Sequence, residues 1–189
     1  MNLCDDLPYF VEVDGEEYKL TPAFDNILQM MAQMDDLDDE DRLEVMLYYL
    51  TDDAPLDVRI LSAAVEALFP QTKGEPGQKA FDFVQDAELI YAAFRQAYNI
   101  DLYEQRGKLH WLHFLALLQG LPEDTRFREV VNIRLKPMPE PTKHNAEERA
   151  RLMKAKQAVA LRISEAERER NLQDGIQKMA AMMLQRAKG

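Results

Sequence analysis

Residues 80–136 read AFDFVQDAELIYAAFRQAYNIDLYEQRGKLHWLHFLALLQGLPEDTRFREVVNIRLK, and this stretch decides the fold. Phe83, Ala87, Ile90, Phe94 and Tyr98 recur at steps of three and four, which predicts one face of a helix ended by Asn99. Leu109, Trp111, Leu112, Phe114, Leu115 and Leu118 form a second helix, apolar almost all round and so buried on several sides, that stops at Gly120. Asp124 is placed to cap a third, carried by Phe127, Val130, Val131 and Ile133.

Working back toward the start, Tyr9–Val13 and Glu17–Leu20 flank Asp14-Gly15, a pair that accepts positive φ at both turn positions, so a small hairpin is expected. Thr21-Pro22 reads as a cap and first helical residue, followed by Phe24, Ile27, Leu28 and Met31 at helical spacing. Two more amphipathic helices are expected from Leu43, Met46, Leu47 and Leu50 and from Ile60, Leu61, Ala64, Val65 and Leu68, the latter stopped by Pro70. Residues 71–79, QTKGEPGQK, read as an internal linker.

Working forward, Pro137, Pro139 and Pro141 forbid both helix and central strand, so residues 137–144 are read as a proline-rich linker. Residues 145–189 are read as a helical arm, with Asn145/Glu148 and Ser164/Glu167 at capping-box spacing and disorder as the alternative. Its stripe of Leu172, Ile176, Met179 and Met183 has no core of its own and marks a partner-binding surface, to another protein or another copy. The expected fold is therefore mainly α: a helical domain over residues 1–136 with an N-terminal β-hairpin, then a linker and the arm.

Charge is distributed unevenly along the 189 residues. Residues 1–90 carry 22 acidic and 5 basic groups (net −17), and residues 91–189 carry 12 and 18 (net +6). That acidic front argues against a phosphate-binding surface, and the later Lys and Arg lack interleaved aromatics, so no nucleic-acid partner is expected. Head-to-tail attraction between copies, attraction to a basic partner, and a merely solvated helix surface all fit the asymmetry. No apolar run of 18 residues and no leader pattern is present, which predicts a soluble intracellular protein with no membrane partner. Cys4 alone makes no internal disulfide.

Signals for chemistry are poor. His110 and His113 stand one helical turn apart, but no third ligand accompanies them, so structural roles are expected and no metal. Asp86 and Glu88 diverge on a helix and cannot serve one substrate atom as acid and base. The acidic cluster 35–41 lacks the glycine and final glutamate of a calcium loop. No nucleophile elbow, phosphate loop or CxxC occurs, so neither catalysis nor a cofactor is expected. Met30, Met31 and Met34, like Met179, Met182 and Met183, suit either gap-filling and dimer packing or a surface that adapts to varied apolar partners.

The motifs Asp86-Ala-Glu88-Leu-Ile90-Tyr91-Ala-Ala-Phe94, preceded by Phe83, then Leu109-His110-Trp111-Leu-His-Phe114, Gly120-Leu121-Pro-Glu-Asp124-Thr-Arg-Phe127 and Arg134 resemble the gene-product-fifteen family of bacteriophage proteins. The resemblance covers about residues 15–160. It implies a protein of long-tailed phages and prophages of Gram-positive bacteria, similar in role to tail-assembly chaperones that bind the tape-measure protein until tail-tube subunits replace them. Its implied place is the cytoplasm of the bacterial host, with a structural adaptor retained in the tail or head-tail connector as the alternative. It implies no catalytic residue; the motif block itself reads equally well as a core.

Overall fold

The computed structural model describes residues 6–34, 37–69 and 79–162. The linker reading of residues 71–79 falls almost wholly outside them, as do Ser164, Glu167, Leu172, Ile176, Met179 and Met183. The chain divides into two compact units, Met1–Pro139 and Glu140–Gly189, so the division falls inside the Pro137–Pro141 segment.

The first unit opens with β1 (Phe10–Val13) and β2 (Glu16–Lys19), an antiparallel pair in the register Phe10↔Lys19 to Val13↔Glu16. Asp14 and Gly15 turn at φ 54° and 82°, the left-handed values that a two-residue hairpin turn demands. Six helices follow: α1 (Phe24–Gln33), α2 (Asp39–Leu50), α3 (Val58–Leu68), α4 (Ala87–Tyr98), α5 (Trp111–Gln119) and α6 (Arg126–Leu135). The second unit contributes α7 (Ala146–Ala158). Among the described residues the protein is thus mainly α with one small N-terminal hairpin.

The core is aromatic at its centre. Phe114 of α5 stacks on Phe24 at 5.0 Å, Phe94 at 5.3 Å and Trp111 at 5.6 Å, so one ring ties α1, α4 and α5 together. Around it α1 buries Phe24, Ile27 and Met30, α3 buries Ile60, Ala64 and Leu68, and α6 buries Phe127, Val130 and Val131. These are the three-and-four-spaced positions of each helix, the periodicity that makes a stripe rather than a scatter. The hairpin is joined to the helices through backbone bonds: Asp52 N–H donates to Lys19 O at 2.9 Å and Thr21 N–H to Leu50 O at 3.0 Å.

At three helix starts the capping differs from the sequence reading. Helix α1 begins at Phe24, not at Pro22, because residues 22–24 run extended beside residues 109–111. There Trp111 N–H donates to Pro22 O at 2.7 Å and Phe24 N–H to Leu109 O at 3.0 Å, while the Thr21 hydroxyl donates to Tyr49 O. Helix α6 is capped by Thr125 rather than Asp124: its Oγ1 accepts from Arg128 N–H and donates to Pro122 O at 2.8 Å. Asn145 caps nothing with its side chain, which instead accepts from Thr142 N–H and donates to Glu140 O.

Candidate partner-binding cleft

The motif block does two kinds of work in the structure. Asp86 sits at the N-cap position of α4 and Arg134 in the last turn of α6. Arg134 Nη1 donates to Asp86 Oδ2 at 2.6 Å and Nη2 to Oδ1 at 2.9 Å, a two-pronged pair whose side chains are only 9% and 4% exposed. Asp86 Oδ2 also accepts from Asp82 N–H, and Arg134 Nη1 also donates to Ala80 O, so each member of the pair has a further hydrogen bond to the backbone. A buried ion pair is tolerable when geometry and extra hydrogen bonds compensate desolvation, and here they fasten the segment before α4 to the end of α6.

His110 is likewise occupied. Its Nδ1 accepts from Leu112 N–H at 3.1 Å as the cap of α5, so Nε2 carries the proton and donates to Pro8 O at 3.2 Å. Burial holds its pKa below the ordinary imidazole value, partly opposed by the bond to Pro8 O, with His113 nearby adding to the depression. Both ring nitrogens are spent, and His113 is exposed with its ring centroid 6.2 Å away. No group of three or more potential metal ligands occurs among the described residues.

Of the remaining motif residues, Ile90, Phe94, Trp111, Phe114, Leu121 and Phe127 are buried, and Phe83 and Tyr91 are half-buried. Phe83 lies in the turn before α4 rather than on the helix, because Asp82 accepts from Val84 and Gln85 N–H and holds residues 83–86 as turns. Glu88, Gly120 and Asp124 are corrections to the core reading, since all three are exposed. Glu88 lies in the first turn of α4, where a carboxylate favours the helix dipole, and Asp124 yields its capping role to Thr125. Gly120 has an ordinary φ of −81°; a Cβ there would meet Tyr98 Oη at 3.2 Å and Ala116 O at 3.3 Å. The glycine therefore permits close approach by Tyr98, whose hydroxyl donates to Leu117 O at 2.9 Å.

One apolar cleft of about 130 Å³ opens beside this block, over Phe24, Phe83, Ile90 and Phe114, with Tyr103 and Arg106 at its rim. The rim belongs to the loop after α4. Asn99, at φ 53°, closes the helix in a left-handed cap, and Asp101 then accepts from Tyr103 N–H and from the Tyr91 hydroxyl. That hydrogen bond to Asp101 raises the Tyr91 pKa, keeping the phenol a donor. Tyr103 is 65% exposed, its ring 5.3 Å from Tyr91, and the Arg106 guanidinium lies 4.8 Å over it. Gly107 N–H donates to Asp25 at 2.9 Å, fastening the loop's far end to α1. The arrangement offers an apolar side chain an aromatic seat with one cationic edge; it offers no nucleophile or base to a substrate. Tyr103 and Arg106 were missed in the sequence because they stand in a polar break, where only their one-turn spacing signals a stacked pair.

The chain matches the family model described as bacteriophage Gp15 protein over residues 3–68 and 59–161. Together these matches take in most of the chain and more than the 15–160 span of the resemblance. The chain belongs to the bacteriophage Gp15 protein family, and its coarse class is a phage structural or morphogenesis protein. Searches of curated proteins and of solved structures gave no significant match. Among the described residues no helix is long and apolar enough to cross a membrane.

Proposed function

We propose that this protein is a non-catalytic tail-assembly chaperone that binds the phage tape-measure protein in the cytoplasm of the bacterial host, until tail-tube subunits replace it. The observation that carries this reading is the open aromatic cleft with its Tyr103–Arg106 rim in a chain of this family. A tape measure is a long, largely helical chain whose apolar stripes need covering before the tube assembles around it. An amphipathic helix laid over the cleft would insert one large apolar side chain between Phe24, Phe83 and Phe114. Aromatic and arginine rims of this kind concentrate binding energy. Many copies along one tape would add their weak contacts through effective concentration.

The test is capture of co-expressed tape-measure protein by the full chain and by Tyr103→Ala and Arg106→Ala variants. Both side chains are exposed, so the variants keep the fold; capture is expected to weaken by about tenfold or more, the scale of a rim hot spot. Undiminished capture by both would remove the cleft from the reading, and no capture by the parent chain would end it. Mass spectrometry of purified virions separates the two roles, since a chaperone is absent and an adaptor is present at fixed copy number.

A further inference from the structure

A second concave surface lies between α1, the C-terminal half of α2 and the loop 51–57, a groove of about 840 Å³. Leu47 forms part of its floor, and Tyr48 and Leu56 stand at its edges. Glu44, Asp52 and Asp53 line it with negative charge, and its described lining holds no lysine or arginine. Asp52 is paired with Lys19, whereas among the described residues no cation forms an ion pair with Glu44 or Asp53. Tyr48 and Leu56 are 76% and 60% exposed in the single chain, so one copy leaves the groove open and its occupant comes from another molecule.

The sequence carries a complement to this surface outside the described residues. Residues 175–189, GIQKMAAMMLQRAKG, hold Lys178, Arg186 and Lys188 and no acidic side chain. Lys178, Met182 and Arg186 recur at steps of four, and Met179 and Met183 run beside them at the same step. On a helix these would form two adjacent rows, with methionines in both and a cation at each end of one. Lys178 to Arg186 would then span about 12 Å, a little over two turns, which suits a groove of this size. Methionine fills irregular apolar surface cheaply, as a floor edged by one aromatic and one aliphatic side chain requires. The long-range charge agrees: residues 1–90 carry net −17 and residues 91–189 net +6, so the later part of one copy is drawn to the front of another.

We propose that this groove receives residues 175–189 of a second copy of the chain, bound as a helix, with Met179 and Met183 against Tyr48 and Leu56 and with Lys178 and Arg186 beside Glu44 and Asp53. Such a contact joins different patches on the two partners, so it is head-to-tail and extends into rings or open rows rather than closing as a two-fold dimer. It is independent of tape-measure capture, which uses the Tyr103–Arg106 cleft.

Sedimentation of the full chain over a concentration series at low salt tests it. Gln29→Lys/Glu44→Lys reverses the groove at exposed positions of α1 and α2, and Lys178→Glu/Arg186→Glu reverses the segment that fills it. Each double variant alone is expected to self-associate about tenfold more weakly, and an equimolar mixture of the two to recover association, because each then carries the other's complement. Tyr48→Ala and Met179→Ser/Met183→Ser are expected to weaken association comparably, the former at an unchanged melting temperature because Tyr48 is exposed. A parent chain monomeric at every concentration, association indifferent to both reversals, or a mixture that stays dissociated would each overturn the proposal. Loss of tape-measure capture in Gln29→Lys/Glu44→Lys, with self-association intact, would overturn it by giving the groove to the tape measure.

Discussion

Helix α4 and helix α7 are of similar length and are helical for different reasons. Helix α4 buries Ile90, Ala93 and Phe94 against the aromatic centre, and its first residue follows the Asp86 carboxylate that Arg134 holds. Helix α7 has no fully buried residue; it is built from alanine, glutamate, arginine, leucine, methionine, lysine and glutamine, the residues that cost a helix least. Glu147 and Glu148 in its first turn and Lys156 in its last complement the dipole. Their ion pairs mark the same contrast. Arg134–Asp86 is nearly sealed from water at 2.6 Å, whereas Arg151–Glu147 lies at 3.7 Å with side chains 84% and 91% exposed. Tertiary burial specifies the first region, and local propensity sustains the second.

The largest effects should therefore come from the motif block. Trp111 is 2% exposed and touches Phe69, Phe83 and Phe114, so Trp111→Ala is expected to lose about 3–5 kcal/mol in a urea titration, the usual cost of an aromatic cavity. Asp86→Ala should cost a similar amount, about 3–5 kcal/mol, because Arg134 would remain buried without its counterion. If Asp86→Ala instead proves neutral, the pair adds no stability and the contrast with α7 narrows to packing.

A smaller effect separates neighbours within one turn. Thr125 is 1% exposed and uses its hydroxyl twice, so Thr125→Ala should cost about 1–2 kcal/mol, and Asp124→Ala next to it almost nothing. This pair also marks what was legible in the sequence. Apolar spacing placed the helices, and Asp14-Gly15 the hairpin, because both are local consequences of backbone geometry. Which of two adjacent capping residues is used depends on where Pro122 O lies. The Asp86–Arg134 pair spans 48 residues and the cleft rim comes from a loop, so neither has a periodic signature.

His110 gives a pH-dependent effect smaller again. Its folded-state pKa lies below the ordinary value, so on acidification the unfolded chain takes up the proton first. Its contribution is present above about pH 6.5, the unfolded value, and is lost as pH falls toward and through the folded one. Protonation also removes the Nδ1 acceptor from Leu112 N–H. The urea midpoint should fall between about pH 7 and 5, above the range where carboxylates titrate, and His110→Asn, which retains an acceptor for the cap, should flatten that fall. An unchanged slope in His110→Asn would assign the fall to other groups.

The smallest expected effect is on the exposed pair. Arg151→Ala removes the partner of Glu147, but two mobile side chains in water gain little from meeting at 3.7 Å, and physiological salt screens what they gain. Alanine is also the better helix former, which offsets part of any loss. Circular dichroism at 222 nm and the urea midpoint should therefore both stay where they are in Arg151→Ala, at low salt and at high. A fall in helicity at low salt that disappears at high salt would mean that α7 depends on its charge pairs rather than on residue propensity. A loss of midpoint comparable to that of Asp86→Ala would go further, because an exposed pair can cost that much only if its helix is held by contacts that the burial of α7 does not include.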